Sequence, residues 1–277
     1  MNITVKRGIT GVFIIAVILL PILAFSVNNI FFIFVFASLT CLSLLEYFGL
    51  LSDSKTAHPP VAAGAFLGTS LFFTSSFVVF FGLSPYYYVL FFIGFTALFI
   101  IELYRKKTAP FQNVAYTLLG FIWIAMPFSL FNFYFIPELY NGDSHVTAMA
   151  LFVFLWVNDT GAYLSGLAFG KHKLFERISP KKTWEGSIGG FVFTIATAYI
   201  VSNFWTGYSF PAWILFGSIT AVAGTFGDLF ESLLKRSIGC KDSGNIIPGH
   251  GGFLDRFDSF LFAAPVVLVF MIIYHFF

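Results

Sequence analysis

Apolar runs of roughly twenty residues, separated by short polar breaks, organise the whole chain. A helix needs ~20 apolar residues to cross ~30 Å of hydrocarbon, so each such run is read as a membrane crossing. Nine emerge: Ile9–Val27, Ile30–Leu51, Val61–Leu83, Tyr86–Leu103, Val114–Ile136, Val146–Phe169, Ser187–Trp205, Phe210–Leu234 and Phe257–Phe277. The breaks between them carry Asn, Asp, Pro, Gly and most of the charge. The pattern predicts an all-α, polytopic integral membrane protein with about nine transmembrane helices.

Composition agrees. Of 277 residues, 58% are hydrophobic, 21% aromatic and only 10% charged, with a mean hydropathy of +0.88. A water-soluble globule could not bury that much apolar surface. Charge placement then adds direction. All 15 Lys and Arg residues fall in alternate breaks: at Lys6 and Arg7, at Lys55, at Arg105 to Lys107, between Lys171 and Lys182, and between Lys235 and Arg256. The positive-inside rule therefore predicts a cytoplasmic N-terminus, cytoplasmic long loops and an outside C-terminus. Losing one crossing would scatter these charges over both faces. The expected location is the inner cell membrane, with the chemistry facing the cytoplasm.

Lys6 and Arg7 ahead of an apolar run resemble a signal peptide. Pro21 to Asn29 offers no clear small-residue cleavage site, so the segment is read as a retained first helix. A net charge of +2 is modest, but basic groups gathered on one face attract anionic headgroups and nucleotides. They form no nucleic-acid module, and no nucleic-acid partner is expected. The two cysteines, Cys41 and Cys240, supply neither a disulfide framework nor a zinc cluster. Polarity rises in the second half, so residues 1–145 read as a transmembrane scaffold and 146–277 as a transmembrane catalytic region.

Acids inside apolar runs are expensive and demand partners. Asp159 lies within the sixth run, flanked by Asn158 and Thr160, with Gly161, Gly166 and Gly170 permitting a close approach. Asp228 and Glu231 share a helix face, with Lys235 one turn beyond Glu231. Asp255 and Asp258 repeat that spacing directly after Pro248-Gly249-His250-Gly251-Gly252. Each has a structural alternative: a lysine pair for Asp159, an i,i+4 pair of Glu231 with Lys235, or a dipole complement at a helix start for Asp255 or Asp258. Taken together, Asp159, Asp228, Glu231, Asp255 and Asp258 form an all-oxygen set suited to Mg²⁺, one or two ions, shared with substrate phosphates. His250 reads as a turn-stabilising or phosphate-contacting group.

Between the sixth and seventh runs, Lys171, Lys173, Arg177, Lys181 and Lys182 precede Thr183 and a small-residue helix start at Ser187 to Gly190. Such a loop can neutralise phosphates through side chains and helix N–H groups, although a bare topology signal would also be basic. In the first half, Glu46 and Glu102 lie near expected helix ends and read as structural.

Ser232 to Arg236, then Lys241-Asp242, then His250-Gly251-Gly252 through Asp255-Arg256 to Asp258 resemble the signature of the phosphatidate cytidylyltransferases, also called CDP-diacylglycerol synthases. Asn158-Asp159, the Phe169 to Lys173 run, Ser179 to Gly186 and Gly227-Asp228 resemble that family's accompanying motifs, so the likeness is detailed over residues 150–277. It implies transfer of CMP from CTP to phosphatidate with release of pyrophosphate, for phospholipid biosynthesis, together with metal dependence and a homodimer. By the same match, Asp228, Lys241, Asp242, Asp255 and Asp258 handle metal and nucleotide. The substrate-binding set becomes Asn158, Lys171, Ser179, Lys181, Lys182, Thr183, Glu185, Ser232, Lys235, Arg236, His250, Gly251, Gly252 and Arg256.

The chemistry is consistent with the residues. A phosphomonoester with a second pKa of ~6 is already largely a dianion near neutral pH, so no general base is required. Three rivals differ in testable ways. A CTP-dependent lipid kinase would release CDP rather than pyrophosphate. The CDP-alcohol phosphotransferases carry an Ala-Arg dipeptide that is absent from this chain. A secondary transporter would show related halves, and none are visible.

Overall fold

The computed structural model describes residues 3–54, 57–139, 144–240, 243–244 and 251–276. Eight helical segments are long and apolar enough to cross a membrane: Asn29–Asp53, Val61–Phe81, Pro85–Tyr104, Pro110–Phe135, Ser144–Phe169, Trp184–Phe204, Phe210–Ser237 and Asp258–Phe276. The chain is thus an all-α, polytopic integral membrane protein. The expected first crossing differs. Helix α1 runs Ile3–Leu23, but its apolar part among the described residues, Thr10–Leu23, is shorter than a full crossing.

Helices α2 (Asn29–Asp53) and α3 (Val61–Phe81) are continuous, and α4 (Tyr88–Tyr104) follows a 3₁₀ turn. The fifth crossing is not one regular helix. It consists of α5 (Pro110–Gly120), a π-helical turn over Phe121–Ala125 and α6 (Met126–Phe131). Pro127 explains the break, because its ring cannot donate to the preceding turn and clashes with the carbonyl there. Then come α7 (Ser144–Phe169), a hairpin of β1 (Lys173–Phe175) and β2 (Ser179–Thr183), α8 (Trp184–Phe204), α9 (Phe210–Ser237) and α10 (Asp258–Phe276). The hairpin was not expected from sequence. Lys173 faces Thr183 and Phe175 faces Ser179, with a bulge between them. Helix α8 also starts earlier than the anticipated Ser187, because Thr183 caps it.

The chain divides into two compact units, 1–132 with 237–256 and 133–236 with 257–277. In the first, the Phe48 ring lies where a Cβ at Gly64 or Gly120 would come within 2.8 or 2.9 Å of it, so α3 and α5 both receive it as a knob. Phe32 stacks on Phe36 at 4.5 Å, and Phe131 packs on Phe36 at 5.2 Å. Two buried hydroxyls are answered from another helical segment: Ser75 donates to the Ser129 carbonyl at 2.7 Å and Ser76 to Asn132 at 3.1 Å. Glu102 accepts from Arg105 and from Asn113, both at 2.6 Å, which is the structural role expected of it.

In the second unit, α7 and α8 approach through small residues. A Cβ at Gly190 would lie 2.5 Å from the Asn158 carbonyl and 2.8 Å from its Oδ1. Helix α9 adds an aromatic cluster in which Phe216 meets Phe154 at 5.7 Å and Trp213 at 5.6 Å. Tyr134 donates to the Ala264 carbonyl at 2.8 Å, tying the unit's first residues to α10.

Gly190→Ala therefore sets a helix-propensity gain of ~1 kcal/mol against an overpacking cost of ~1–3 kcal/mol. The thermal midpoint in detergent should fall by about 2–4 °C for each net kcal/mol. Gly49→Ala, whose added Cβ meets nothing within 4 Å, should leave the midpoint level or raise it.

Candidate active site

Lys182 is the residue around which the second unit's polar groups gather. Along the end of β2 burial rises step by step, from exposed Lys181 through half-buried Lys182 to buried Thr183. Thr183 accepts from the Gly186 N–H at 3.1 Å and so caps α8, which accounts for its hydroxyl. Lys182 reaches across to Asp228 on α9 and pairs with it at 2.5 Å, the two side chains keeping 25% and 32% exposure. That exposure leaves both open to a solute.

Asp228 also accepts from Ser232, one turn along, at 3.3 Å. Glu231, only 1% exposed, holds Lys235 at 2.7 Å. This is the i,i+4 pair that the spacing allowed, so Glu231 and Lys235 are engaged with each other inside α9. Arg236 donates to the Ile178 carbonyl at 3.4 Å and braces the hairpin turn.

Gly227 lets α10 come close enough that a Cβ there would meet the Asp258 carbonyl, with the Ser259 Cα at 3.0 Å. Asp258, first residue of α10, accepts from the Ser259 N–H at 2.6 Å. Its carboxylate is repelled by Asp228 and Asp159 and attracted by Lys182. Asp159 lies next to Asn158, which is itself buried against Gly190 at the α7–α8 seam. The structure thus brings Asp159, Lys182, Asp228 and Asp258 within electrostatic reach.

These are hard oxygen donors, the type that suits Mg²⁺. Among the described residues, no three His, Cys, Asp or Glu side chains close around a point as a complete metal cage. Mg²⁺ commonly uses one or two carboxylates and completes its shell with water and substrate phosphate, so the donor chemistry fits while the shell remains open.

Glu185 closes the basic loop on itself. It accepts from the N–H groups of Lys171 at 3.1 Å and His172 at 3.2 Å, and meets His172 Nδ1 at 2.5 Å. Lys171, Lys173 and Arg177 stay exposed around it, and Ser179 is half-buried.

Asp255 belongs to the first unit and is engaged by its own loop, its Oδ2 accepting from Gly252 N–H at 3.0 Å and Ser243 N–H at 3.4 Å. Gly251 has a φ of +80°, a conformation open to glycine at little cost. Arg256 is exposed. Glu46, read as structural near a helix end, accepts from Leu254 N–H at 2.6 Å across 208 residues. The signal for it was readable: Leu42, Ser43, Gly49 and Leu50 occupy the neighbouring helical positions, so no local cation could answer that carboxylate. Lys55, Lys241, Asp242 and His250 lie outside the described residues.

The model of the cytidylyltransferase family matches residues 5–274. Among curated proteins, a phosphatidate cytidylyltransferase of Staphylococcus aureus is 40% identical over 169 residues, covering 60% of this chain and 62% of that protein. Proteins of the same name from Staphylococcus haemolyticus and Staphylococcus saprophyticus are each 39% identical, over 169 and 171 residues, with the same coverage. The chain spans about three fifths of the length of these curated relatives, 62% in each case. With the family model matching nearly end to end, the chain belongs to the cytidylyltransferase family.

Proposed function

We propose that the chain transfers CMP from CTP to phosphatidate. A phosphatidate oxygen bonds to the α-phosphorus of CTP, the α–β phosphoanhydride breaks, and CDP-diacylglycerol and pyrophosphate leave. The observation that carries this reading is the Lys182–Asp228 pair, exposed enough to be opened and set beside Asp258 and Asp159. Family membership and the relatives' name support the same reaction.

The physical difficulty is bringing two polyanions together. Lys182 meets it first: an incoming triphosphate competes with Asp228 for the ammonium group, since phosphate oxygens form strong charge-assisted hydrogen bonds with it. The exposed Lys171, Lys173, Arg177 and Lys181 surround that point with positive charge and speed CTP encounter. No proton needs to be removed, because the lipid phosphate is already largely dianionic near neutral pH. Glu185 keeps the loop ordered, and Arg236 fixes the turn above α9.

Asp228 and Asp258, with Asp159, would hold Mg²⁺. When bound, the ion offsets phosphate charge on both substrates and on the leaving pyrophosphate. Thr183, Glu231 and Asn158 act by holding the scaffold. We further infer that the site faces the cytoplasm, where the basic loops lie under the positive-inside rule and where CTP is found. The acyl chains stay in the bilayer, and two copies pair as a homodimer, as the family resemblance implies.

Asp228→Asn and Asp258→Asn should each lower kcat for CDP-diacylglycerol formation by at least about 100-fold while the protein stays monodisperse in detergent. Labelled CTP with phosphatidate vesicles reads this directly; full activity in either variant refutes the assignment. Lys182→Met should act mainly on CTP, raising its KM by about tenfold or more through the loss of one charge-assisted contact.

Chelating divalent cations should stop turnover, and Mg²⁺ should restore it. The nucleotide product must be pyrophosphate; release of CDP with a newly phosphorylated lipid would instead establish a lipid kinase.

A further inference from the structure

We propose that Glu46 is a positioning residue for this reaction, fixing the glycine-rich turn 251–256 from within α2 and thereby setting the aim of Asp255. The inference rests on the transfer reaction proposed above.

Glu46 is only 7% exposed, yet it lies on a helix otherwise rich in apolar residues. Its nearest helical neighbours offer no cation, so its charge has to be met by tertiary structure. What meets it is backbone. Leu254 N–H donates to Oε2 at 2.6 Å, and the Phe253 N–H also reaches the carboxylate. These two amides open the 3₁₀ turn Leu254–Arg256, whose first N–H groups have no partner within the turn. Leu254 is fully buried, so water cannot replace Glu46 there.

The fit leaves no slack. A Cβ at Gly244 would collide with Glu46 Oε1, and one at Gly252 would collide with Ser243 Oγ and approach Oε1 to 2.6 Å. Two glycines of this segment are therefore small because a carboxylate from elsewhere in the chain occupies the space.

Asp255 works on the same turn from the other end. Its Oδ2 takes the Gly252 N–H at 3.0 Å and the Ser243 N–H at 3.4 Å, and it lies close enough to Glu46 for the two charges to repel. The amides are thus divided between two carboxylates. Without Glu46, the released Leu254 and Phe253 N–H groups become available to Asp255, which is then drawn into its own turn. The family resemblance assigns Asp255 to nucleotide and metal handling, so re-aiming it should slow turnover while leaving CTP affinity, set by the hairpin lysines, nearly unchanged.

The test compares Glu46→Ala with Glu46→Gln, whose amide oxygen can still accept from Leu254. Hydrogen–deuterium exchange over 251–256 and steady-state kinetics with CTP and phosphatidate are read in parallel. In Glu46→Ala, exchange should accelerate by about tenfold or more as the turn opens locally. kcat should fall by about 100-fold, the cost expected of a misplacement near 1 Å, while the KM for CTP stays within about threefold of wild type. Glu46→Gln should restore slow exchange and most of kcat. Where the alanine variant does not fold, Glu46→Asp, one methylene short of Leu254, provides the same two readouts.

Unchanged exchange in Glu46→Ala overturns the proposal. So does a Glu46→Gln variant with a protected turn but the activity of the alanine variant, because the charge itself would then be needed at the reacting groups. If wild-type protein makes no CDP-lipid while exchange responds as described, the reading of the reaction fails and the clamp stands.

Discussion

A carboxylate placed on a membrane-spanning helix must be met by a donor, because hydrocarbon provides none and an uncompensated charge there costs several kcal/mol. Most of the polar architecture of this protein follows from that constraint. Glu231 answers it within its own helix through Lys235. Glu102 answers it through Arg105, which itself donates to the His58 carbonyl at 2.8 Å, and through Asn113. Glu46 answers it with backbone amides of a turn 208 residues away. Asp228 is answered by Lys182, and this pair alone among the four described here joins a helix to an exposed hairpin.

That difference separates the sealed acids from the accessible one. Glu231 is sealed at 1% exposure, and an ion pair so buried is stable only while both partners remain. Lys182 and Asp228 keep a quarter to a third of their surface, 25% and 32%, so a polyanion can exchange one partner for another without exposing a bare charge. Asp258, at the same place, is repelled by Asp228 and Asp159 and attracted by Lys182.

Small residues make these approaches possible. Gly190 against Asn158 holds α7 to α8, and Gly227 against the Asp258 carbonyl holds α9 to α10. With lipid on the outside there is little hydrophobic drive between helices, so close backbone contact and polar pairs must supply cohesion. The seams that pack the second unit therefore also set the spacing of its carboxylates.

Hydropathy alone determined the class, since residues in uninterrupted apolar runs of crossing length have only one stable environment. The acids Asp159, Asp228 and Asp258 were legible because each breaks such a run, and the Glu231–Lys235 pair because helical spacing is local. The hairpin was hidden: Lys173 pairs with Thr183 through backbone groups that any sequence possesses, and a five-cation stretch reads equally well as a loop. The irregular fifth crossing was hidden too: Val114–Ile136 counts as one apolar run, and hydropathy does not register the π-helical turn ahead of Pro127. What only the tertiary structure decided was partner choice. Lys182 selects Asp228 and Glu46 selects Leu254 because packing brings them within hydrogen-bond distance, and no one-dimensional spacing encodes a contact made 208 residues apart.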